Sequence, residues 1–241
     1  MVFYMSARFL LKKFLYLILL IPTLLQAAVD LELDISELSP ESLTTMPPVL
    51  IGKNGEKIIS DINFTNEKVL LNKIPAENEA RRLLTATVDK YISKSNVIIN
   101  KIMNNIIEIP NQVTKSKIIH KLKLNKSFLK NIFNDLYLKK TDMANVFYVT
   151  KFNNEAVVIT QAELIGSELN IEFVMSNPDN ILNTILNNEG AIKRASVENI
   201  RSIGRDVISN NPVIKKMKTY VVSSTLEANY RRLGFTEFTC L

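Results

Sequence analysis

The stretch that decides the fold reads YVVSSTLEANYRRLGF and covers residues 220–235. Its apolar start predicts a β-strand, and Ser224 followed three residues later by Glu227 forms a capping box, which satisfies free N–H groups at the start of a helix. Gly234 stands where a left-handed residue ends that helix, a conformation that costs glycine little. The sequence here predicts a strand, a short helix carrying Tyr230 and another strand, at 217–222, 225–233 and 235–239.

Hydrophobic spacing predicts the elements upstream of this stretch. Helical spacing recurs in three regions: 76–110, 127–137 and 192–207. Three strand candidates lie between the last two of these: 146–149, 156–159 and 169–175, with Asn153-Asn154 as a hairpin turn. Residues 29–75 look irregular, because four prolines interrupt them. Helices, an antiparallel meander and a strand–helix–strand unit together predict an α+β fold, that is, a mixed α/β layer.

Composition limits the kinds of site that the chain can hold. A single cysteine, Cys240, excludes an intramolecular disulfide, and with a single histidine, His120, it excludes a Cys/His zinc site. No nucleophile elbow accompanies His120, so a solvated histidine is a simpler interpretation than a Ser/His/Asp triad. Residues 113–140 hold eight lysines and one acidic residue, Asp135. Without interleaved aromatics this run is typical of a solvated helix face, so we expect no nucleic-acid partner. The Cys and His counts likewise lead us to expect no metal.

The N-terminus has the pattern of a secretory signal peptide. Basic residues precede an apolar run, 14–21, which a proline and small residues follow. This run is shorter than the roughly 20 residues that a membrane span needs. We expect cleavage after Ala27 or Ala28 and an exported protein, secreted or periplasmic; the alternative is an uncleaved anchor, with membrane contact through residues 1–28 only. The predicted regions are a signal peptide or anchor, an N-terminal region that is irregular and then helical, and an α/β domain: 1–28, 29–112 and 113–241.

Two motifs in the C-terminal half carry a resemblance. Tyr230–Phe235 has the form Tyr-x-x-Leu-Gly-Phe, and Ile171-Glu172 is followed by Pro178 six residues after the glutamate. The first resembles the closing motif of the GNAT (Gcn5-related N-acetyltransferase) superfamily, and the second resembles the end of its fourth strand. The resemblance covers residues from about 115 to 241. It implies a GNAT-like central mixed sheet flanked by helices, preceded here by the signal peptide and a helical N-terminal region.

The resemblance also implies a reaction, the transfer of an acetyl group from acetyl-CoA to an amine, on a small molecule or on a protein. Acetyl-CoA would lie where two central strands splay apart, the strand at 169–175 being one of them. Glu172 would be the general base for the amine, directly or through water, and Tyr230 would be the acid for the departing thiolate. The CoA pyrophosphate would rest at a helix N-terminus, on backbone N–H groups and basic side chains of four residues: Gly190, Ala191, Lys193 and Arg194.

Each of these residues has a plainer interpretation. Tyr230 alone would be a half-buried packing residue with its hydroxyl bonded, and Glu172 would be a solvent-facing strand position. The loop at 187–192, where the phosphate would bind, also departs from the family's pattern, because Ile192 stands where Gly or Ala belongs. A bulky residue obstructs close approach of the backbone to a phosphate, and Glu189 would repel it.

Two functions therefore stay open. The first is an exported GNAT-like acetyltransferase. The second is an exported non-catalytic binding or interaction protein with a GNAT-like framework, such as a bacterial effector or an envelope component, since a fold does not fix its function. Compartment favours the second, because acetyl-CoA is a cytosolic metabolite; delivery of the protein into a host cell would remove this conflict.

Overall fold

The computed structural model describes residues 29–43, 47–59, 64–70, 79–137, 145–221 and 224–238, with backbone only for residues 59 and 224–226. The predicted leader, 1–28, and Cys240 lie outside these ranges. In chain order the described elements are β1 (Val29–Asp34), a 3₁₀ turn (Pro40–Ser42), β2 (Val49–Ile51), β3 (Lys57–Ile59), β4 (Phe64–Leu70), α1 (Glu79–Met103), α2 (Gln112–Tyr137), β5 (Asn145–Phe152), β6 (Glu155–Ile165), β7 (Glu168–Ser176), α3 (Pro178–Leu186), β8 (Ile192–Lys193), α4 (Ala195–Asn210), β9 (Lys216–Val221), α5 (Ser224–Arg232) and β10 (Thr236–Glu237).

A seven-stranded sheet forms the centre of the protein, in the order β10-β1-β9-β7-β6-β5-β4. All neighbouring strands in it are antiparallel except β7 and β9, which are parallel. Parallel neighbours need a crossover connection, and here α3, β8 and α4 provide it. The α+β prediction is confirmed at this level: the sheet is central, mostly antiparallel and flanked by helices.

Helices cover both faces of this sheet. On one face, α1 and α2 enclose a core that includes Phe147 and Val149 of β5. On the other face, α4 and α5 enclose a core that includes Val146 and Tyr148 of the same strand. Because both faces are covered, β5 reads as a continuous apolar run instead of an alternating one.

A smaller sheet, β3-β2-β8, ties the N-terminal region to the segment just before α4. Leu50 of β2 is opposite Ile192 of β8, and the Ile51 N–H donates to the Ala191 carbonyl over 2.9 Å. Ile51 and Ala191 are buried together with Val49. The loop before α4 is therefore built into a sheet, a point that matters for its chemistry.

The hairpin and the C-terminal stretch fold as predicted. Asn153 and Asn154 link β5 to β6 with φ angles of 49° and 65°, the left-handed conformation of a tight hairpin turn. Near the C-terminus α5 lies between β9 and β10, and Gly234 follows it with a φ of 96°. The Phe235 N–H closes the helix end by donating to the Tyr230 carbonyl over 3.1 Å. The side chain of Ser224, on which the predicted capping box depends, lies outside the described part.

Other elements differ from the prediction. Residues 29–75 are not irregular, since their described parts contain β1 to β4, and β1 and β4 join the same sheet as strands from 145–221. The division at residue 112 stays a prediction. Helix α2 begins at Gln112, well before Ser127, and α3 was not predicted at all. A signal for α3 was present, since Pro178 stands at its first position and Asn177 accepts from the Asp179 N–H over 3.0 Å.

Within the described residues, none of the helices is long and apolar enough to cross a membrane.

Candidate functional site

The parallel pairing of β7 with β9 stops early. It covers four residue pairs, of which the last joins Ile171 to Thr219. β7 continues to Ser176 and β9 to Val221 without further pairing to each other. The sheet therefore opens near its middle, and we call this opening, between 172–176 of β7 and the end of β9, the strand gap.

A β-bulge marks the start of the strand gap. Gln161 of β6 is opposite Phe173 of β7, and the next β6 residue, Ala162, is opposite Ile171. Glu172 is therefore the extra residue of the bulge. A bulge bends its strand and increases its twist, which explains why β7 leaves β9 at this position.

Tyr230 reaches the same position from α5. Its side chain is only 5% exposed, and its ring meets Phe235 edge-on with centroids 5.0 Å apart. Its hydroxyl is hydrogen-bonded to Thr219, whose own hydroxyl donates to the Ile171 carbonyl over 3.3 Å. Burial raises the pKa of Tyr230 to about 12, and the bond with Thr219 opposes that rise. The phenol thus lies at the last paired residues of the two strands.

Glu172 lies on the other face of the sheet. Tyr230 packs in the core beneath α4 and α5, whereas the charges around Glu172 are Glu163 of β6 and Asp135 of α2. Burial first, and then these two carboxylates, raise the pKa of Glu172. Its side chain nevertheless reaches solvent. The strand gap therefore has a carboxylate at one face and a phenol at the other.

A crevice leads to the phenol between β7, α4 and α5. Its walls are mostly apolar, from Val174, Val197, Ile200 and Leu233, and its polar groups belong to Ser196, Asn229 and Tyr230. The cavity volume is about 10 Å³, which is room for roughly one water molecule. The crevice itself therefore encloses no larger ligand.

The first turn of α4 lies beside this crevice. Arg194 precedes the helix with a φ of 65°, and its side chain makes no capping hydrogen bond. The first backbone N–H group of α4 that has an acceptor is that of Glu198, which donates to the Arg194 carbonyl over 3.0 Å. No acceptor among the described residues takes the three N–H groups before it, those of 195–197. With the helix dipole, these donors favour an anion.

Gly190 and Ala191, which were predicted to bind the pyrophosphate through their backbone N–H groups, use these groups in hydrogen bonds within the fold. The Gly190 N–H donates to the Ile51 carbonyl over 2.8 Å, and the Ala191 N–H donates to the Asn188 carbonyl over 3.2 Å. These groups satisfy the β2–β8 region instead of facing an open site.

The two predicted basic residues also have partners. Lys193 donates to the side-chain oxygen of Asn187 over 2.6 Å, and the Arg194 guanidinium donates to the Pro47 carbonyl over 3.2 Å. Both bonds are at exposed positions, and both residues directly precede α4 in the chain. The open donors, on 195–197, were missed by the sequence prediction, because a left-handed arginine before a helix gives no recognisable signal.

A buried polar network fixes α4 on the sheet. Asn199 of α4 accepts from the Thr160 hydroxyl of β6 and donates to the Thr150 hydroxyl of β5 over 2.9 Å. All three side chains are buried. Since unpaired buried polar groups are costly, this network holds α4, and with it the crevice, in one position against the sheet.

In the ranges that the structure describes, no group of three or more His, Cys, Asp and Glu residues is arranged to hold a metal ion.

Comparison with known proteins gives a distant likeness. No family model and no curated protein matches the sequence. A tandem GNAT protein from the clavulanic acid biosynthesis pathway, solved without acetyl-CoA, matches with a TM-score of 0.42 and 9% identity over 88% of this chain and 50% of that one. A functionally unknown conserved protein from Staphylococcus epidermidis matches with a TM-score of 0.44 and 9% identity over 88% of this chain and 57% of that one. The chain thus spans about half the length of these solved structures.

Proposed function

We propose that the protein is a GNAT-like N-acetyltransferase that moves an acetyl group from acetyl-CoA to an amine. One observation carries the proposal: β7 and β9 part after Ile171 and Thr219, with the Tyr230 phenol on one face and the Glu172 carboxylate on the other. A thioester in the strand gap would have a base on the side of the amine and a donor on the side of the sulfur.

The two side chains suit their parts in this reaction. An amine attacks only when it is neutral, and Glu172, directly or through a water, accepts its proton; a raised pKa makes a carboxylate a stronger base. The nitrogen then bonds to the thioester carbon and the carbon–sulfur bond breaks. Tyr230 stays protonated at neutral pH, because its pKa is raised to about 12, so it donates to the departing sulfur.

The cofactor's charge fits the start of α4. Its pyrophosphate would accept from the N–H groups of 195–197, with Lys193 and Arg194 as the nearest predicted cations. The backbone N–H groups that we expect to contact the pyrophosphate are therefore those of the first turn of α4 instead of those of Gly190 and Ala191. The pantetheine arm would follow the apolar crevice toward Tyr230.

Binding and turnover test this proposal separately. Acetyl-CoA at one hundred times its Kd should stabilise the folded protein by roughly 2.7 kcal/mol, read as a rise in the melting temperature. Release of the CoA thiol in the presence of a panel of primary amines would report transfer. No rise in melting temperature up to millimolar acetyl-CoA would contradict the proposal, and CoA itself without the acetyl group is the matched control ligand.

A second function has an observation in its favour. The crevice has a volume of only about 10 Å³, and the donors of Gly190 and Ala191 are already bonded. Both features suit a non-catalytic binding or interaction protein. A flat thermal response to acetyl-CoA, together with no thiol release, would favour this alternative.

We also propose export through residues 1–28, on the sequence pattern alone. N-terminal sequencing of the mature protein tests it. A first residue at 28 or 29 is expected after cleavage, and an intact Met1 in a membrane fraction would indicate an anchor instead.

A further inference from the structure

Two polar side chains of β6 face the same side of the sheet as Glu172. Along β6, Ala162 packs into the core beneath α4 and α5, so its neighbours Gln161 and Glu163 point to the face covered by α1 and α2. In the register, Glu163 is opposite Asn145 of β5, and Gln161 is opposite Phe173 of β7. The β7 bulge places Glu172 directly before Phe173, next to both.

Gln161 holds a buried acceptor that nothing satisfies. Its side chain is 2% exposed, and its amide nitrogen donates to the Asn145 side-chain oxygen over 3.1 Å. Its side-chain oxygen is buried and has no hydrogen-bond partner in the described part of the chain. Buried polar atoms in native proteins are nearly always paired, so this oxygen is left for a donor that the described residues do not supply.

The neighbouring carboxylates also have no cationic partner in the part of the chain that the structure describes. Among the described residues, neither Glu163 nor Glu172 forms an ion pair, and each lies within electrostatic reach of the other. Like charges held together without a counter-ion repel, so a positive group between them would be bound favourably. The described residues offer no set of ligands for a metal ion here, and an ammonium, with three donors, matches a carboxylate and an amide oxygen.

We propose that Glu163 and Gln161 form a cation subsite beside Glu172 and that the acetyl acceptor is a diamine, whose second ammonium group occupies this subsite. This inference rests on the proposed function. The bound ammonium is not the reacting group, because a carboxylate partner keeps an ammonium charged and a charged amine cannot attack. The substrate's other amine, one short chain away, lies at the strand gap, where Glu172 takes its proton.

Isothermal titration of the full chain with 1,4-diaminobutane and with 1-aminobutane, without acetyl-CoA, tests the subsite. We expect the diamine to bind at least about tenfold more tightly than the monoamine. Glu163→Gln should remove this preference. Glu155→Gln is the matched control, since it changes the same charge on the same strand at the far end of β6 and should leave both affinities unchanged.

Folding is checked on each variant by its melting temperature, and Gln161→Leu gives a second test. Leucine removes the unpaired oxygen, together with the bond to the partly exposed Asn145, and introduces no new polar group, so this variant should stay folded and lose diamine affinity. Equal binding of the two amines, or a diamine affinity that Glu163→Gln leaves unchanged, would overturn the subsite. Because acetyl-CoA is absent from these titrations, their failure differs from failure of the acetyl-CoA thermal response, which would overturn the proposed function.

Discussion

The strand gap and the loop at 187–194 differ in how they use their polar groups. In the strand gap, Tyr230 and Glu172 stand at the end of a ladder that no longer pairs the strands. In the loop, the donors of Gly190 and Ala191 are bonded inside the fold. Strand divergence creates an opening, whereas addition of β8 to β2 closes one. A chemically suitable residue therefore becomes available only where the backbone pairing around it ends.

The largest effect that would sharpen this contrast comes from Tyr230→Phe. Loss of the hydroxyl should slow acetyl transfer by roughly 10²- to 10⁴-fold, because a positioned donor contributes about that much. Acetyl-CoA affinity should change little, and loss of the buried hydrogen bond to Thr219 should lower the free energy of unfolding by about 0.5–1.5 kcal/mol without unfolding the protein. Steady-state thiol release measures the rate.

Tyr220→Phe is the control for this change, since Tyr220 is a β9 tyrosine with 62% of its side chain exposed. Equal rates for Tyr230→Phe and the parent protein would remove the phenol from the reaction and leave it a packing residue.

The next effect concerns Glu172 and pH. Glu172→Gln should slow transfer by about 10²-fold and abolish the rise in kcat/KM with pH, since the base must lose its proton. The stability that Glu172 contributes should change in the opposite direction from kcat/KM, falling as the pH rises. The pKa of Glu172 is raised in the folded protein, so its contribution to stability is present below the ordinary carboxyl pKa and is lost as pH rises through the folded value.

The melting temperature of Glu172→Gln should therefore exceed that of the parent protein at neutral pH and equal it below about pH 4. Glu155→Gln, an exposed change of the same charge on β6, is the control. A melting-temperature difference that does not vary with pH would contradict the electrostatic environment described for Glu172.

The smallest predicted effect tests whether the pyrophosphate binds at the first turn of α4 or at the loop before it. Ser196→Asp places a negative charge at the start of a helix, which should stabilise the free protein by about 0.3–1 kcal/mol. The same charge should weaken acetyl-CoA binding about tenfold, because it would face the pyrophosphate. Ser196→Asn, of the same size and neutral, is the control. Unchanged acetyl-CoA affinity in Ser196→Asp would exclude this turn as the phosphate site.

Local signals in the sequence predicted the elements that carry the two candidate side chains. The hairpin at Asn153-Asn154 and the helix that ends at Gly234 follow from residues that accept positive φ angles. The prolines of 29–75, however, led us to interpret the whole region as irregular. That interpretation overlooked the alternation of β1, in which Leu31 and Leu33 are buried and their neighbours are not. That strand was missed, because its partners, β9 and β10, lie at the far end of the chain.

The sequence by itself determined an α+β protein in which Tyr230 stands on a short helix between two strands, because turns, caps and periodicity act between residues close along the chain. Only the tertiary structure decided where β7 and β9 part, which backbone donors remain open at 195–197, and that Gln161, Glu163 and Glu172 share one face. These features depend on hydrogen bonds and packing between distant segments, whose register no local pattern specifies.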